Sequence, residues 1–199
     1  MSTPTQATGS GVVPYRLSVR QFKMMIDAGI FPEKAHVELL GGRLVDKMTK
    51  HPPHDFTVGR FSSALRELLP ADWFVREEKS LQLGGFWRPE PDIAVVRGPD
   101  ALYSNRDPNA VDVALIVEVA DSSYAKDHGL KWRAYAAARI PVYLIVRLAE
   151  RRVEVHRNPS GRGRQASYQD VETYLESAEV PIVIDGVEVG RLAVRDLLP

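Results

Sequence analysis

Two carboxylates, Asp92 and Glu118, stand where acidic side chains have few structural uses. Glu118 interrupts the apolar segment Val113-Ala-Leu-Ile-Val-Glu-Val-Ala, and Asp92 precedes the apolar run Ile-Ala-Val-Val. Because burying an ionised carboxylate without a partner is costly, Glu118 requires a cation nearby. Each residue has an ordinary alternative: Glu118 at a strand end facing water or paired with an arginine, and Asp92 as an exposed residue before a strand. The pair is therefore more informative than either residue alone.

If the two segments are adjacent strands, the carboxylates and the backbone carbonyl of Val119 form an oxygen-rich site. Such ligands suit Mg²⁺ or Mn²⁺. A divalent ion held there would polarise a phosphodiester and acidify a bound water, which is the chemistry of metal-dependent hydrolysis.

Lys131 follows Glu118 by 13 residues, on the helix expected after that strand. Its ammonium would orient the attacking water or offset charge developing on phosphorus, and the alternative is a solvated surface charge. Asp127 and Tyr135 lie four residues before and after Lys131, so all three share one helix face. Asp127 is alternatively a first-turn partner of the helix dipole, and Tyr135 a core residue.

Three helices that would carry or support these residues are predicted from apolar side chains at three- to four-residue spacing. The first follows the capping-box sequence Ser18-Val-Arg-Gln21, has the stripe Phe22, Met25, Ile26 and Ile30, and ends near Gly29. The second covers residues 54–69 and is stopped by Pro70, and the third covers about 124–138.

Strands are predicted between these helices, which gives an α/β domain with additional antiparallel strands. A hairpin around Gly41-Gly42 places Glu38 on a strand. The unbroken apolar run at 113–120 is typical of a strand covered on both faces, and with the following helix and strand it forms a strand-helix-strand unit. The predicted strands cover residues 37–45 as a hairpin, 73–83, 91–97, 113–120, 142–148, 153–156 and 180–189, the last with a turn at Asp185-Gly186.

The composition bounds the class of protein. With 199 residues, 44% hydrophobic and 26% charged, the chain fits a single globular domain over residues 15–199, preceded by a disordered tail at 1–14. Lys plus Arg equals Asp plus Glu, so no overall basic field attracts nucleic acid and any binding must be local. The chain has no cysteine, no apolar run long enough for a membrane span and no signal-peptide pattern, so we expect a cytoplasmic protein without disulfides or membrane contact.

An ordered set of segments occurs within residues 15–160: Val37 to Val45, Pro52-Pro-His54, Pro91-Asp-Ile-Ala-Val-Val, Arg106-Asp-Pro-Asn-Ala, Glu118-Val-Ala-Asp-Ser-Ser with Asp127, Lys131 and Tyr135, and Ile140-Pro-Val-Tyr-Leu-Ile-Val. Over this range the chain resembles the Uma2 family of restriction-endonuclease-like proteins. Each segment is weak evidence alone, but the order of the set is specific.

The resemblance implies a restriction-endonuclease-like PD-(D/E)XK core with Mg²⁺ or Mn²⁺ as cofactor and DNA as substrate. Asp92, Glu118, the Val119 carbonyl and Glu38 would hold the metal, although Glu38 is alternatively an exposed strand residue. Lys131 would be the catalytic lysine, moved onto the helix because Ala120 occupies the usual lysine position.

Four further positions bear on the site. His54 is a candidate contact to phosphate or water, with a helix cap or surface residue as its alternative. Ser122 and Ser123 look like helix N-caps, and no histidine and aspartate arrangement around them suggests a serine hydrolase. Arg147 stands where the family usually has aspartate, which leaves packing or substrate contact beyond the metal centre open.

The leading hypothesis is therefore a magnesium- or manganese-dependent endonuclease acting on DNA as a homodimer. Two alternatives keep the same fold: a catalytically silent nucleic-acid-binding or regulatory dimer, and a dimerisation domain with a buried ion-pair network. The joint presence of Glu38, Asp92, Glu118 and Lys131 favours the enzyme, because a lost site would tolerate replacement at any of them.

Overall fold

A computed structural model describes residues 13–32, 35–47, 51–120 and 124–199, apart from the side chains of 124–128. Four α-helices occur in this part of the chain: α1 Val19–Asp27, α2 Pro52–Leu68, α3 Tyr124–Ala137 and α4 Val194–Leu197. The strands are β1 Val37–Leu40, β2 Arg43–Asp46, β3 Trp73–Glu77, β4 Ile93–Arg97, β5 Val113–Ala120, β6 Val142–Arg147, β7 Arg152–Ser160, β8 Ser167–Leu175, β9 Glu179–Ile184 and β10 Val187–Ala193. The predicted tail falls almost wholly outside the described residues.

The centre of the molecule is a six-stranded mixed sheet in the order β3-β4-β5-β6-β7-β8. Only β5 and β6 run parallel within it, and α3 connects them. All the other neighbours are antiparallel. This arrangement confirms the predicted mixed α/β fold and its strand-helix-strand unit.

Both faces of the sheet are covered, which explains the unbroken apolar sequence of β5. One face packs against α2, α4 and the β9–β10 hairpin, and alternate β5 residues such as Leu115 and Val117 point to it. The other face packs against α3, and Ile116 and Ala120 point there. Side chains alternate along a strand, so Glu118 lies on the α3 face.

The β1–β2 hairpin lies beside the segment that leads into β4. Leu39 and Arg88 exchange backbone hydrogen bonds of 3.3 and 2.8 Å. The turn needs glycine at Gly42, because its φ is +82° and an added Cβ would lie 2.8 Å from the Arg16 Cβ. The backbone pairing of Leu39 with Arg88 brings Glu38 of β1 to the end of the central sheet.

Two local predictions differ from the structure, and one strand was not predicted. The apolar stripe of α1 is only partly buried: Phe22 is buried together with Val19, whereas Ile26 and Ile30 face solvent. The strand predicted over 73–83 ends at Glu77, because only the β3 segment pairs with β4. Strand β8 was missed: it is a largely exposed edge strand with polar side chains, so it carries little apolar alternation.

Among the described residues, no helix is long and apolar enough to cross a membrane.

Candidate active site

The structure brings Asp92 and Glu118 together on one face of the sheet. The antiparallel register pairs Ile93 of β4 with Val117 of β5, so Asp92, one residue before β4, stands opposite Glu118. Paired residues of adjacent strands share a face. The predicted adjacency of the two carboxylates is confirmed.

Asp92 is only 3% exposed, and its two carboxylate oxygens have different partners. Oδ2 accepts a hydrogen bond from the backbone N–H of Val119 at 2.9 Å and lies 3.1 Å from His54 Nε2. Oδ1 lies 3.2 Å from Nζ of Lys47, the first residue after β2. Two of these partners are therefore fixed in buried structure, and the third is the end of a long side chain.

Glu118 shares a lysine with Glu38. Lys131 of α3 is 4% exposed, and its Nζ lies 3.1 Å from Oε1 of each glutamate. Glu38 Oε1 also accepts a hydrogen bond of 2.7 Å from the backbone N–H of Glu90. The hairpin, the central strand and the crossover helix thus meet at one ammonium, and the alternatives of an exposed Glu38 and a solvated Lys131 are wrong.

Tyr135 is both a core residue and a site residue. It is fully buried beside Tyr143, with ring centroids 5.1 Å apart, and its hydroxyl donates a 2.7 Å hydrogen bond to Glu118 Oε1. Lys131 and Tyr135, one helical turn apart, therefore reach the same carboxylate. The side chain of Asp127 and residues Ser122 and Ser123 lie outside what the structure describes.

The two central carboxylates have opposite pKa shifts. Burial raises the pKa of Glu118 from 4.5 to about 7, and the nearby Asp92 and Glu38 add to this although Lys131 opposes it. Burial would also raise the pKa of Asp92, but the His54 hydrogen bond and the charge of Lys47 outweigh it and hold that pKa far below its usual value. The site therefore keeps one carboxylate firmly ionised and makes the other costly to ionise.

The profile of the Uma2 family, described as "Putative restriction endonuclease", matches residues 19–194. This chain belongs to the Uma2 family. Membership supports a nuclease-type function, and nucleases of the restriction-endonuclease type generally use divalent metal ions.

A solved structure shows the same fold as this Uma2 protein. It is described as a "putative nuclease belonging to DUF820 from Anabaena variabilis", and it matches with a TM-score of 0.64 and 16% sequence identity. The match covers 91% of this chain and 97% of the Anabaena protein. No curated protein shows significant sequence similarity to the chain.

The donor atoms of this Uma2 site are of the kind that bind a hard divalent cation, although the side chains are not arranged around an ion position. No group of three or more histidine and acidic side chains among the described residues is disposed around a common ion position. Three carboxylates and one imidazole, however, face two ammonium groups there. Carboxylate oxygens are donors that fit Mg²⁺ or Mn²⁺.

Two site residues differ from expectation. His54 is neither a cap nor a surface residue: it is buried near the start of α2, and its Nε2 meets Asp92. Lys47 was not identified from the sequence, because no periodicity or motif marks a lysine after a short hairpin strand. Only the packing of the hairpin against the segment before β4 reveals it.

Arg147 belongs to a separate group of charges. Its guanidinium contacts Glu150 and lies 3.3 Å from Glu154 Oε1, and Arg152 lies 2.8 Å from that same oxygen. We call these four residues the guanidinium cluster. They account for Arg147 by charge pairing within the protein.

Proposed function

We propose that this Uma2 protein is a magnesium- or manganese-dependent endonuclease that hydrolyses phosphodiester bonds in DNA. The observation that supports this most is the meeting of Glu38 and Glu118 at buried Lys131, with Asp92 of a third segment opposite Glu118. Burying three carboxylates with two lysines is costly for a purely structural element, and a functional site explains that cost.

The residues divide the chemical work. Asp92, Glu118, Glu38 and the Val119 carbonyl would hold the divalent ion, which when bound supplies Lewis-acid polarisation of the phosphodiester and a more acidic water. Lys131, already placed at two of these carboxylates, would orient the attacking water and offset charge on phosphorus. Tyr135 fixes the Glu118 carboxylate, and His54 fixes Asp92 in its ionised form. Asp127 is proposed as a further support for Lys131.

One observation favours a rival function. Every acidic side chain of the site contacts an ammonium group, which is also what a silent module with a buried ion-pair network would show. Such a module would bind nucleic acid or another copy of itself without cleaving.

Cleavage of supercoiled plasmid with and without Mn²⁺ or Mg²⁺ separates the two. An endonuclease nicks or linearises the plasmid only with the metal, and Asp92→Asn and Glu118→Gln lose that activity while remaining folded. Matched cleavage by Glu118→Gln and the parent protein would point to a contaminating nuclease. Absence of cleavage together with absence of Mn²⁺ binding would favour the ion-pair module.

We further propose that the protein acts as a homodimer, because hydrolysis of both strands of a duplex needs two active sites or two encounters. Sedimentation at micromolar concentration should give twice the 22.2 kDa chain mass. A monomer mass that persists with duplex DNA bound would contradict this.

A further inference from the structure

The two carboxylate oxygens of Asp92 differ in the partners that an incoming ion would have to displace. Oδ2 is committed to the Val119 N–H of a buried strand and to buried His54, at 2.9 and 3.1 Å. The Val119 N–H cannot withdraw without moving β5, and the His54 ring is buried at the start of α2. Oδ1 has a contact of another kind, the Lys47 ammonium at 3.2 Å. An ion that approaches Oδ1 of Asp92 therefore encounters the Lys47 ammonium.

The anchoring of Lys47 is weaker than that of Lys131. Lys131 lies between two carboxylates, whereas Lys47 has one carboxylate and, at 3.0 Å, the backbone carbonyl of Glu90. The Lys47 side chain retains 11% exposure, and a lysine ammonium on a flexible stem re-solvates readily. Lys47 can therefore leave by side-chain rotation alone.

Electrostatic repulsion favours the departure of the Lys47 ammonium from Asp92 when an ion binds. A divalent cation on Oδ1 and an ammonium within about 4 Å repel each other strongly in a partly buried site. We infer that Lys47 is the displaceable counter-ion of this site: its ammonium holds Asp92 in the metal-free protein and gives up Oδ1 when Mg²⁺ or Mn²⁺ binds. The inference rests on the proposed metal-dependent function and assigns that site a residue that exchanges with the ion.

The first test compares Mn²⁺ dissociation constants, measured by calorimetry, for the parent protein and Lys47→Met. Removing the competing charge should tighten Mn²⁺ binding about tenfold or more. Lys23→Met is the matched control, because Lys23 also bridges a carboxylate and a neutral oxygen, with Asp107 at 3.0 Å and Gln82 at 3.2 Å. The control should bind Mn²⁺ like the parent.

The second test needs no substitution at Lys47. Acetylation of individual lysines is followed by mass spectrometry with and without saturating Mn²⁺, using Lys23 as the internal reference. If the ion displaces Lys47, its acetylation rate should rise severalfold relative to Lys23. This measurement decides between exchange and no exchange even if Lys47→Met does not fold.

The outcomes separate the two levels of the proposal. Mn²⁺ binding that needs Asp92, but is unchanged or weakened in Lys47→Met, overturns the exchange and leaves the metal site standing. A Lys47 acetylation rate that does not change when Mn²⁺ binds also overturns the exchange alone. No Mn²⁺ binding by either the parent or Lys47→Met overturns both. Mn²⁺ binding by Lys47→Met alone supports the exchange in its strongest form.

Discussion

Two buried glutamates on the same face of the sheet differ in what surrounds them. Glu118 of β5 and Glu154 of β7 are each 6% exposed, and both pair with Ile145 of the intervening strand β6. Glu154 contacts two guanidinium groups, from Arg147 and Arg152. Glu118 instead shares one lysine with another glutamate and has Asp92 opposite.

The difference shows that a buried acid in an apolar strand is not itself the mark of a site. In the guanidinium cluster two arginines balance two glutamates, so the charges satisfy one another. We call Glu38, Asp92 and Glu118, with Lys47 and Lys131, the carboxylate site; there three acids face two ammonium groups. An incoming cation can relieve the repulsion of Glu118 by Asp92 and Glu38, and this crowding of acids distinguishes Glu118 from Glu154.

The largest expected effect concerns Lys131. If it acts on the water or the phosphorus, Lys131→Ala should lower plasmid turnover by about a hundredfold or more while nearly preserving DNA affinity. Arg152→Ala removes a cation of the other cluster and should keep turnover close to that of the parent. Single-turnover cleavage and filter binding measure the two quantities. Loss of affinity and its salt dependence instead, with no turnover to lose, would assign Lys131 to a binding module.

Replacing Glu118 and replacing Glu154 should have different effects on stability and on the response to Mn²⁺. Glu118→Ala should cost little stability, because it relieves repulsion with Asp92 and Glu38, but should abolish stabilisation by Mn²⁺. For the parent we expect that stabilisation to be about 2.7 kcal/mol at a hundredfold excess over the dissociation constant. Glu154→Ala should cost about 1–3 kcal/mol, because it leaves charged donors without their acceptor, and should keep the Mn²⁺ effect.

Urea unfolding with and without Mn²⁺ measures both changes. If Glu118→Ala lost as much unfolding free energy as Glu154→Ala, the carboxylate site would be a structural ion-pair network as well.

The pH dependence of stability should carry the signature of Glu118. Its pKa is raised in the folded protein, from 4.5 to about 7, so the folded state binds the proton more tightly than the unfolded chain. Its contribution to stability is fully present below about pH 4.5 and is lost as the pH rises toward and through 7. Glu118→Gln should remove this decline between pH 4.5 and 7, measured by urea unfolding without metal. A parent and variant with parallel profiles would contradict the raised pKa.

The site could be predicted from the sequence where strand patterns fixed the geometry. The apolar runs around Asp92 and Glu118 were enough to expect adjacent strands, and helical spacing put Lys131 and Tyr135 on one face. The roles of Lys47 and His54 could not be predicted, because each reaches Asp92 through contacts between segments distant in sequence. Strand β8 was missed for a related reason. It is held by backbone pairing with β7, and its mostly exposed side chains lack the apolar pattern that identifies a buried strand.

The smallest expected effect tests the separateness of the two clusters. Arg147 pairs in register with Ala120, two residues beyond Glu118 on the same face, so it lies near enough to the site to be considered for phosphate contact. Its guanidinium, however, already contacts Glu150 and Glu154, and withdrawing it would remove a cation from both acids. We therefore expect Arg147→Met to change DNA affinity by less than about twofold and to leave the slope of log affinity against log salt unchanged.

A phosphate contact would show the opposite result. Each lost contact lowers that slope by about one, and affinity falls uniformly across DNA sequences. Fluorescence anisotropy over a salt series, with catalysis blocked by Glu118→Gln in both proteins, measures the slope without cleavage. A shallower slope for Arg147→Met would extend the proposed DNA-binding surface across β6 into the guanidinium cluster. The balanced charges that separate Glu154 from Glu118 would then hold only in the DNA-free protein.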